Sequence, residues 1–200
     1  DNVPLTSLVN GKVVYVHLKN NRLVQKGDTL VQLTQESLNT EKSTNESLAS
    51  DLKNRISDLS RIVTSSNALL TTPELQQEWN SYNSKKNELE SKIAQAKIVY
   101  DRNKQLFDKG IIARAEFEKY SFDYTYSQQS LLSLIKSQKS VWQNQKRDLE
   151  NQLKNLKGTL NKINVESKNY VITAPISGTI ENFSGIQVGS FLNASQPIAT

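Results

Sequence analysis

Two segments at opposite ends of the 200-residue chain repeat one pattern. The first copy covers residues 11–30 and the second covers 178–198, with one extra residue in the second copy. Each copy is predicted to form short strands joined by turns, and a few isolated strands are only marginally stable in water. We therefore expect the copies to pack together as two halves of one small β-domain, with the residues between them as an insertion. The matched positions include Asn21 with Gly189, Val24 with Leu192, and Gly27-Asp28 with Ser195-Gln196.

The first copy shows the period-2 alternation of a half-buried strand, followed by residues that favour turns. This pattern predicts that Val14, Val16 and Leu18 face one way, whereas Tyr15, His17 and Lys19 face the other. In the second copy, Val171-Ile172-Thr173 is predicted to lead into the strand that matches it. The two halves are expected to pack face to face as a flattened β-sandwich with pseudo-twofold symmetry.

The interval between the copies is predicted to be helical, because Lys, Gln, Asn, Ser, Glu and Leu dominate it. Thr72 is predicted to cap a helix that has a proline in its first position. From Leu75 to Phe107, one side of the helix follows steps of four and three residues, which is the heptad seam of a coiled coil. Lys86 and Asn103 are polar members of this seam, and such residues often set the register.

That helix is predicted to end in a turn over residues 108–113, where Gly110 suits a left-handed cap. A returning helix is predicted over 113–168, with a second seam that contains Phe117 and Tyr124. Because a short connection makes two helices antiparallel neighbours, residues 108–113 are the expected tip of a hairpin, and Ile111 and Ile112 are expected to be exposed there.

The outgoing arm of the hairpin is predicted as two helices, 35–63 and 73–107, with a break at 64–72. Two arms of similar length allow the chain to return to the β-domain, and at 1.5 Å per residue the hairpin would project roughly 80 Å. A compact bundle folded back at the break is the alternative.

The composition offers little for catalysis. There is no Cys, and His17 is the only His, so no metal cluster or catalytic triad of the usual residues is expected. Trp79 and Trp142 lie on or beside a seam and are interpreted as packing residues or contacts between subunits. We predict a protein that is not an enzyme and that holds no cofactor or metal.

The net charge of +5 is scattered, and acidic and neutral residues interrupt the basic ones along the returning helix. This is typical of a solvated face, so no nucleic-acid partner is expected. No apolar run reaches the ~20 residues that span a bilayer, and the chain lacks Met. We expect an excised fragment whose membrane anchor, if the parent protein has one, precedes Asp1.

The repeated motifs resemble the two halves of a biotinyl/lipoyl domain. In the carrier proteins of that group, a tight hairpin joins the halves and presents a modified Lys, but no Lys occupies such a turn here. A split lipoyl domain with an inserted helical hairpin resembles the HlyD-type membrane fusion proteins, or periplasmic adaptors, over essentially all of the chain. The motifs are Gly11-x-Val13 with Lys26-Gly27-Asp28-x-Leu30, and Ala174-Pro175-x-Ser177-Gly178-x-Ile180 with Gln196-Pro197-Ile198.

This resemblance implies an α+β fold in which a long antiparallel coiled-coil hairpin is inserted between the two halves of a lipoyl-like β-sandwich. The sandwich is assigned to residues 1–33 and 170–200, and the hairpin to residues 34–169.

The predicted tip carries a second resemblance. Adaptors that dock on TolC-like channels have an Arg, a Leu four residues later and a Ser seven residues after that. Here these positions are Arg102, Leu106 and Ala113, so the third departs from the pattern. The family Ser resembles a helix N-cap with Glu116 completing a capping box, and its loss would cost about 1 kcal/mol. The implied partner-binding residues are Arg102, Leu106, Lys109, Gly110, Ile111, Ile112 and Ala113.

The resemblance implies a periplasmic adaptor of a tripartite exporter. Its expected partners are a TolC-like outer-membrane channel, an inner-membrane transporter and further copies of itself in a ring. The interrupted outgoing arm resembles secretion adaptors, which implies an ABC-type transporter for peptide or protein (type I) secretion. A multidrug efflux adaptor is the alternative of the same architecture. The full-length protein is expected to be anchored in the inner membrane by a segment absent from this chain.

Rivals from other classes remain. One is a lipoyl or biotinyl carrier domain, which the missing Lys disfavours. Others are a coiled-coil tether without an export role and a Gram-positive accessory protein, which would have no outer channel to meet.

Overall fold

A computed structural model describes residues 2–64 and 69–200. Four strands precede the helices: β1 (Leu5–Thr6), β2 (Gly11–Val16), β3 (Leu23–Val24) and β4 (Thr29–Leu33). The helices are α1 (Glu36–Thr64), α2 (Pro73–Asp108) and α3 (Arg114–Ser167), and a 3-10 turn (Lys168–Tyr170) follows them. The remaining strands are β5 (Val171–Thr173), β6 (Gly178–Thr179), β7 (Phe191–Leu192) and β8 (Pro197–Ala199). The predicted fold class is confirmed, since a long helical hairpin separates the two halves of a small sandwich in the sequence.

The chain divides into two compact units, Asp1–Ala49 with Lys154–Thr200, and Ser50–Leu153. The first unit contains all the described strands, and the second contains α2 with the adjoining parts of α1 and α3. The sandwich and hairpin boundaries assigned from the sequence stay a prediction.

The two sequence halves interlock in the sandwich. Among the described strands, four of the five antiparallel ladders join the first half to the second: β1–β8, β2–β7, β3–β6 and β4–β5. Only the β2–β4 ladder lies within one half. Neither half could satisfy its backbone hydrogen bonds alone, which explains why both copies of the motif are needed.

Matched turns of the two copies share a left-handed backbone although their residues differ. The φ angle is 59° at Asn21 and 95° at the matched Gly189, and it is 94° at Gly27 and 65° at the matched Ser195. Glycine and asparagine adopt this region most readily. The repeat is therefore one of backbone conformation as well as sequence.

The second pair of turns also shares a side-chain hydrogen bond. Asp28 accepts a bond of 2.9 Å from the backbone N–H of Gln25 through Oδ2. Gln196, at the matched position, accepts a bond of 3.0 Å from the backbone N–H of Asn193 through Oε1. The carboxylate of Asp28 and the side-chain amide of Gln196 thus play the same structural role, because each oxygen accepts a hydrogen bond from the backbone N–H three residues earlier.

Equivalent backbone bonds also tie each copy to its opposite half. The N–H of Gly27 donates to the carbonyl of Ala174 at 2.8 Å, and the N–H of the matched Ser195 donates to the carbonyl of Ser7 at 2.7 Å. These paired contacts are what the predicted pseudo-twofold symmetry requires.

One detail of the strand prediction is wrong. Val14 was expected on the same face as Leu18, but Val14 is 47% exposed, whereas Leu18 and Val13 are buried. Val13 pairs with Leu33 and Tyr15 pairs with Gln32, so two steps along β2 match one step along β4. This bulge reverses the alternation of side chains. The sandwich core comprises Leu5, Val13, Leu18, Val24, Leu30, Val31, Leu33, Ile172, Ala174, Ile180, Leu192, Ile198 and Ala199.

In the second unit, α2 and α3 are antiparallel and packed along an aromatic seam. Tyr82 lies 5.0 Å from Trp142, Tyr100 lies 5.3 Å from Tyr124, and Phe107 lies 4.8 Å from Phe117 between ring centres. The partner number falls as the α2 number rises, as an antiparallel pair requires.

A buried carboxylate joins α1 to the start of α2. Asp58 is fully buried, and its Oδ2 accepts hydrogen bonds from the backbone N–H groups of Thr71 (2.9 Å) and Thr72 (2.7 Å) and from the hydroxyl of Thr71 (3.1 Å). Thr72 occupies the N-cap position, but its side chain makes no cap hydrogen bond, so the predicted side-chain cap is wrong. Asp58 of another helix binds the chain there instead.

Helices α1 and α2 run in the same direction at this joint. Asp58 binds the start of α2. Thr64, later on α1, lines a groove with Asn83 and Lys86, which are later on α2. A bundle folded back at 64–72 would reverse this order, so that alternative is not observed. Residues 65–68 of the predicted break lie outside the described residues.

Candidate partner-binding site

The connection between α2 and α3 closes on its own backbone. The N–H of Gly110 donates to the carbonyl of Phe107 at 2.8 Å, and the N–H of Ile111 donates to the carbonyl of Leu106 at 2.9 Å. Gly110 has a φ of 72°, so these bonds form a Schellman motif. The predicted left-handed cap at Gly110 is confirmed, and no side chain is needed to satisfy these helix-terminal carbonyls.

Ala113 is the N-cap residue of α3. Its carbonyl accepts hydrogen bonds of 3.1 Å from the N–H groups of Glu116 and Phe117. Alanine has no side-chain oxygen, so the first turn lacks the hydroxyl acceptor that Ser supplies at this position. Ala113, the residue that departs from the family pattern, is therefore an N-cap residue without a side-chain acceptor.

The predicted binding residues lie in the last two turns of α2, the connection and the N-cap of α3. They differ in exposure. Ile111 is 64% exposed, whereas Ile112, expected to be exposed as well, is half-buried. Arg102, Lys109, Gly110 and Ala113 are exposed, and Leu106 is half-buried.

Arg102 carries a charge that its neighbours do not neutralise. Lys104 donates a hydrogen bond of 2.8 Å to Asp108, and Lys97 donates one of 2.6 Å to Asp101. Each of these bonds raises the pKa of its lysine. The ion pairs within residues 2–64 and 69–200 do not include Arg102. Its guanidinium is therefore available to an acidic or carbonyl-rich partner.

The connection rests on a closely packed base. Phe107 stacks on Phe117 with 6° between the ring planes, and Tyr100 lies 5.6 Å from Phe117. Asn103, a predicted polar seam residue, is buried and donates a hydrogen bond of 2.8 Å to the carbonyl of Val99. A site on such a base is held more firmly than a site on a free loop.

The chemistry of these residues suits contact with a protein. Ile111 supplies exposed apolar surface and Arg102 supplies a free cation, and interfaces favour both kinds of group. No cluster of His, Asp or Glu within the described ranges is placed to hold a metal ion. Nor does any described helix combine the length and hydrophobicity needed to cross a membrane.

The sequence analysis did not single out several residues that the structure shows to be exposed or to make specific contacts. Phe122 and Tyr126 are exposed aromatic residues on α3. Their positions off the heptad seam were the feature of the sequence that could have predicted this exposure. Glu78 accepts hydrogen bonds from Gln138 (2.9 Å) and from the indole of Trp142 (2.8 Å) through one oxygen. No spacing in the sequence pointed to that contact.

Two solved structures share the fold. The periplasmic adaptor protein EmrA is 21% identical with a TM-score of 0.55, and the match covers 100% of this chain and 71% of EmrA. The soluble domain of LipC, a membrane fusion protein of a type I secretion system, is 12% identical with a TM-score of 0.67, and the match covers 100% of this chain and 98% of that domain. No curated protein matches the chain in sequence.

The family model described as "RND MFP, barrel-sandwich hybrid domain" matches residues 1–200, the whole chain. The sequence match thus agrees with the fold, in which a helical hairpin is inserted between two interlocked half-sandwiches. The chain belongs to the RND membrane fusion protein family, of which it represents the barrel-sandwich hybrid domain.

Proposed function

We propose that the chain is the adaptor of a tripartite exporter, linking an inner-membrane transporter to a TolC-like outer-membrane channel in the periplasm. Family membership along the entire chain is the observation that carries this proposal. Membrane fusion proteins of this family are non-enzymatic adaptors, so mechanical assembly rather than chemistry is the expected activity.

The channel contact is assigned to the connection between α2 and α3. Its backbone is satisfied internally, so the side chains of Arg102 and Ile111 need not support the turn and are free to bind. Burial of an exposed isoleucine and pairing of an unneutralised guanidinium are both favourable at an interface. Lys109 and the half-buried Leu106 and Ile112 border the same surface.

The inner-membrane partner is proposed to be an ABC-type transporter for peptide or protein secretion. The similarity to LipC, whose system is of type I, supports this assignment. A drug-efflux adaptor is the second candidate, because the matching family model is named for RND systems. The proposed assembly contains a ring of identical adaptor chains.

A carrier role fits the structure poorly. The two half-sandwiches are connected between β4 and β5 through the three helices, and not through a tight hairpin that could present a modified Lys. Co-expression with a biotin or lipoate ligase should leave the mass of the chain unchanged by mass spectrometry. A modified Lys would overturn the adaptor proposal.

The channel contact is tested by capture of a TolC-like channel on immobilised chain. Arg102→Glu and Ile111→Asp should each lower the apparent affinity by about tenfold or more, the equivalent of 1.4 kcal/mol. The matched controls are Arg147→Glu, an exposed arginine on α3, and Val165→Asp, whose side chain has the same 64% exposure as Ile111. Undiminished capture by both tip variants would eliminate docking at this connection.

The class of transporter is tested with the full-length protein. Mild cross-linking in cells and purification of the adaptor should recover an ABC transporter. Recovery of an RND pump in its place would establish the second candidate.

A further inference from the structure

The groove that Thr64 lines with Asn83 and Lys86, the three-helix groove, lies where the end of α1 packs against α2 and α3. It encloses about 280 Å³, close to the lower limit of small-molecule sites. Its lining includes apolar side chains from the flanking helices, such as Ile62 of α1 and Ile135 of α3. The three-helix groove is thus a small, partly apolar site, separate from the connection between α2 and α3.

Three aromatic rings line one part of the three-helix groove. Tyr82 lies 5.0 Å from Trp142 and 5.6 Å from Trp79 between ring centres, and the two tryptophan rings lie 5.7 Å apart. The tryptophans are buried, whereas Tyr82 is half-buried. Tyr82 therefore offers aromatic surface to a bound molecule, on a base that the two tryptophans hold in place.

Two lysines line the three-helix groove next to these rings. Tyr82 and Trp142 face each other across α2 and α3. Lys86 lies four residues after the first of these, and Lys139 lies three residues before the second. Because the two helices are antiparallel, both lysines lie about one turn, or ~5 Å, to the same side of the aromatic pair. A molecule whose rings pack on Tyr82 thus has two ammonium groups within reach.

These lysines keep much of their charge available. Lys86 forms a loose ion pair with Glu90, with 3.4 Å between the ammonium nitrogen and the carboxylate oxygen. Lys139 is exposed and has no ion-pair partner in the part of the chain that the structure describes. Positive charge without a close counter-ion favours an anionic ligand.

The sign of the charge distinguishes this groove from its neighbour. The charged side chains among its described lining residues are the two lysines, and none is acidic. A neighbouring groove shares Tyr82 but is lined by Glu74 and Glu78. The lysine of that second groove, Lys85, is already paired with Glu88 at 2.8 Å. Of the two grooves, only the three-helix groove therefore suits an anion.

We propose that the three-helix groove binds a small amphipathic anion. The aromatic ring system of this ligand packs on Tyr82, and its carboxylate or sulfonate group contacts Lys86 and Lys139. Because all three helices line the groove, the bound molecule holds the end of α1 against α2 and α3. This binding goes beyond the proposed adaptor function and does not depend on it.

The two tryptophans of the chain, Trp79 and Trp142, provide a readout because both line the groove. The probes are anilinonaphthalene sulfonate and phenylnaphthylamine, which has the same rings without the sulfonate. The sulfonate probe should quench the tryptophan emission of the whole chain saturably. Its Kd should be at least about tenfold lower than that of the neutral probe.

A change of charge at Lys139 tests the position of the anion. Lys139→Glu should remove the preference for the sulfonate probe, because a carboxylate then lies where the sulfonate binds. The matched control is Lys119→Glu, which makes the same change at an exposed position about 30 Å away along α3 and should bind as the wild type does. Lys139→Gln repeats the test without a new negative charge, should the glutamate destabilise the helix.

Urea unfolding followed by circular dichroism gives a second measurement. The sulfonate probe should raise the midpoint of the wild type and of Lys119→Glu but not that of Lys139→Glu, since a ligand of the folded state stabilises it. The proposal is overturned by equal affinity of the wild type for the two probes, or by the absence of saturable quenching. An equal loss of affinity in the variants at residues 139 and 119 overturns it as well.

Discussion

Two connections interrupt the helices of the second unit, and they are built in opposite ways. The joint between α1 and α2 depends on Asp58, a buried carboxylate that lies 13 and 14 residues before the groups it binds. The connection between α2 and α3 is closed by local backbone bonds around Gly110. The turn between α2 and α3 is closed by its own backbone, so its side chains are free to bind a partner. The joint between α1 and α2 instead uses the side chain of Asp58 to hold its structure.

The charge of Asp58 is stabilised where it lies. Burial raises the pKa of its carboxyl, but the hydrogen bonds from Thr72 and Thr71 lower it, and the net shift is below the ordinary value of 3.8. The folded state therefore favours the carboxylate over the neutral acid.

Removal of this carboxylate is the strongest test of the contrast. Asp58→Ala should reduce the free energy of unfolding of the second unit by about 1–3 kcal/mol, because two partly buried N–H groups lose their acceptor. Both Trp residues, 79 and 142, lie in the cluster next to the joint, so tryptophan fluorescence in urea reports on it directly. Asp51→Ala, at an exposed position of α1, should change stability by less than about 0.5 kcal/mol. An equal effect of both variants would refute the role of Asp58.

The stabilisation from Asp58 should also depend on pH. A carboxyl whose pKa is lower in the folded state contributes stability above its unfolded pKa and loses it as pH falls through the folded pKa. The difference in unfolding free energy between the wild type and Asp58→Asn should thus be full at pH 7 and shrink below about pH 3.8. Urea unfolding at pH 7 and pH 3 measures it. A difference that does not change would show that the charge is unimportant.

The self-closed turn should be sensitive to its backbone instead. Gly110→Ala should cost about 1–2 kcal/mol, because φ is 72° there and a Cβ disfavours the left-handed region. Gly158 lies within α3 with nothing within 4 Å of an added Cβ, so Gly158→Ala should stabilise the chain by up to about 1 kcal/mol. Thermal unfolding followed by circular dichroism distinguishes the two. If Gly110→Ala and Gly158→Ala changed the stability in the same direction, the left-handed cap at Gly110 would be contradicted.

The smallest expected effect is a gain at the start of α3. Ala113→Ser should stabilise the hairpin by about 1 kcal/mol, because a hydroxyl would accept a hydrogen bond from a free N–H of the first turn. Ala115→Ser, inside the same helix, offers no such bond and should be neutral or slightly destabilising. Urea unfolding compares them, and no gain at Ala113 would place the cap elsewhere.

The sequence predicted most of what depends on local repetition. The heptad pattern placed Tyr100 and Phe107 on one seam and Phe117 and Tyr124 on the other, and the structure brings these rings together. Gly110 was assigned its left-handed conformation because few other residues adopt it. The contacts of Asp58 and Glu78 were not predicted, since an isolated acidic residue on a helix gives no sign of what lies opposite it.

The amino-acid sequence by itself determined that two distant copies form one domain, that heptads separate them and that a glycine turn closes the hairpin. These features follow from periodicity and backbone preference, which act over a few residues. Only the tertiary structure decided that β2 bulges at Val14, that Asp58 binds the start of α2 and that Glu78 accepts a hydrogen bond from Trp142. Each of these depends on which surfaces meet after folding, and no local spacing specifies that.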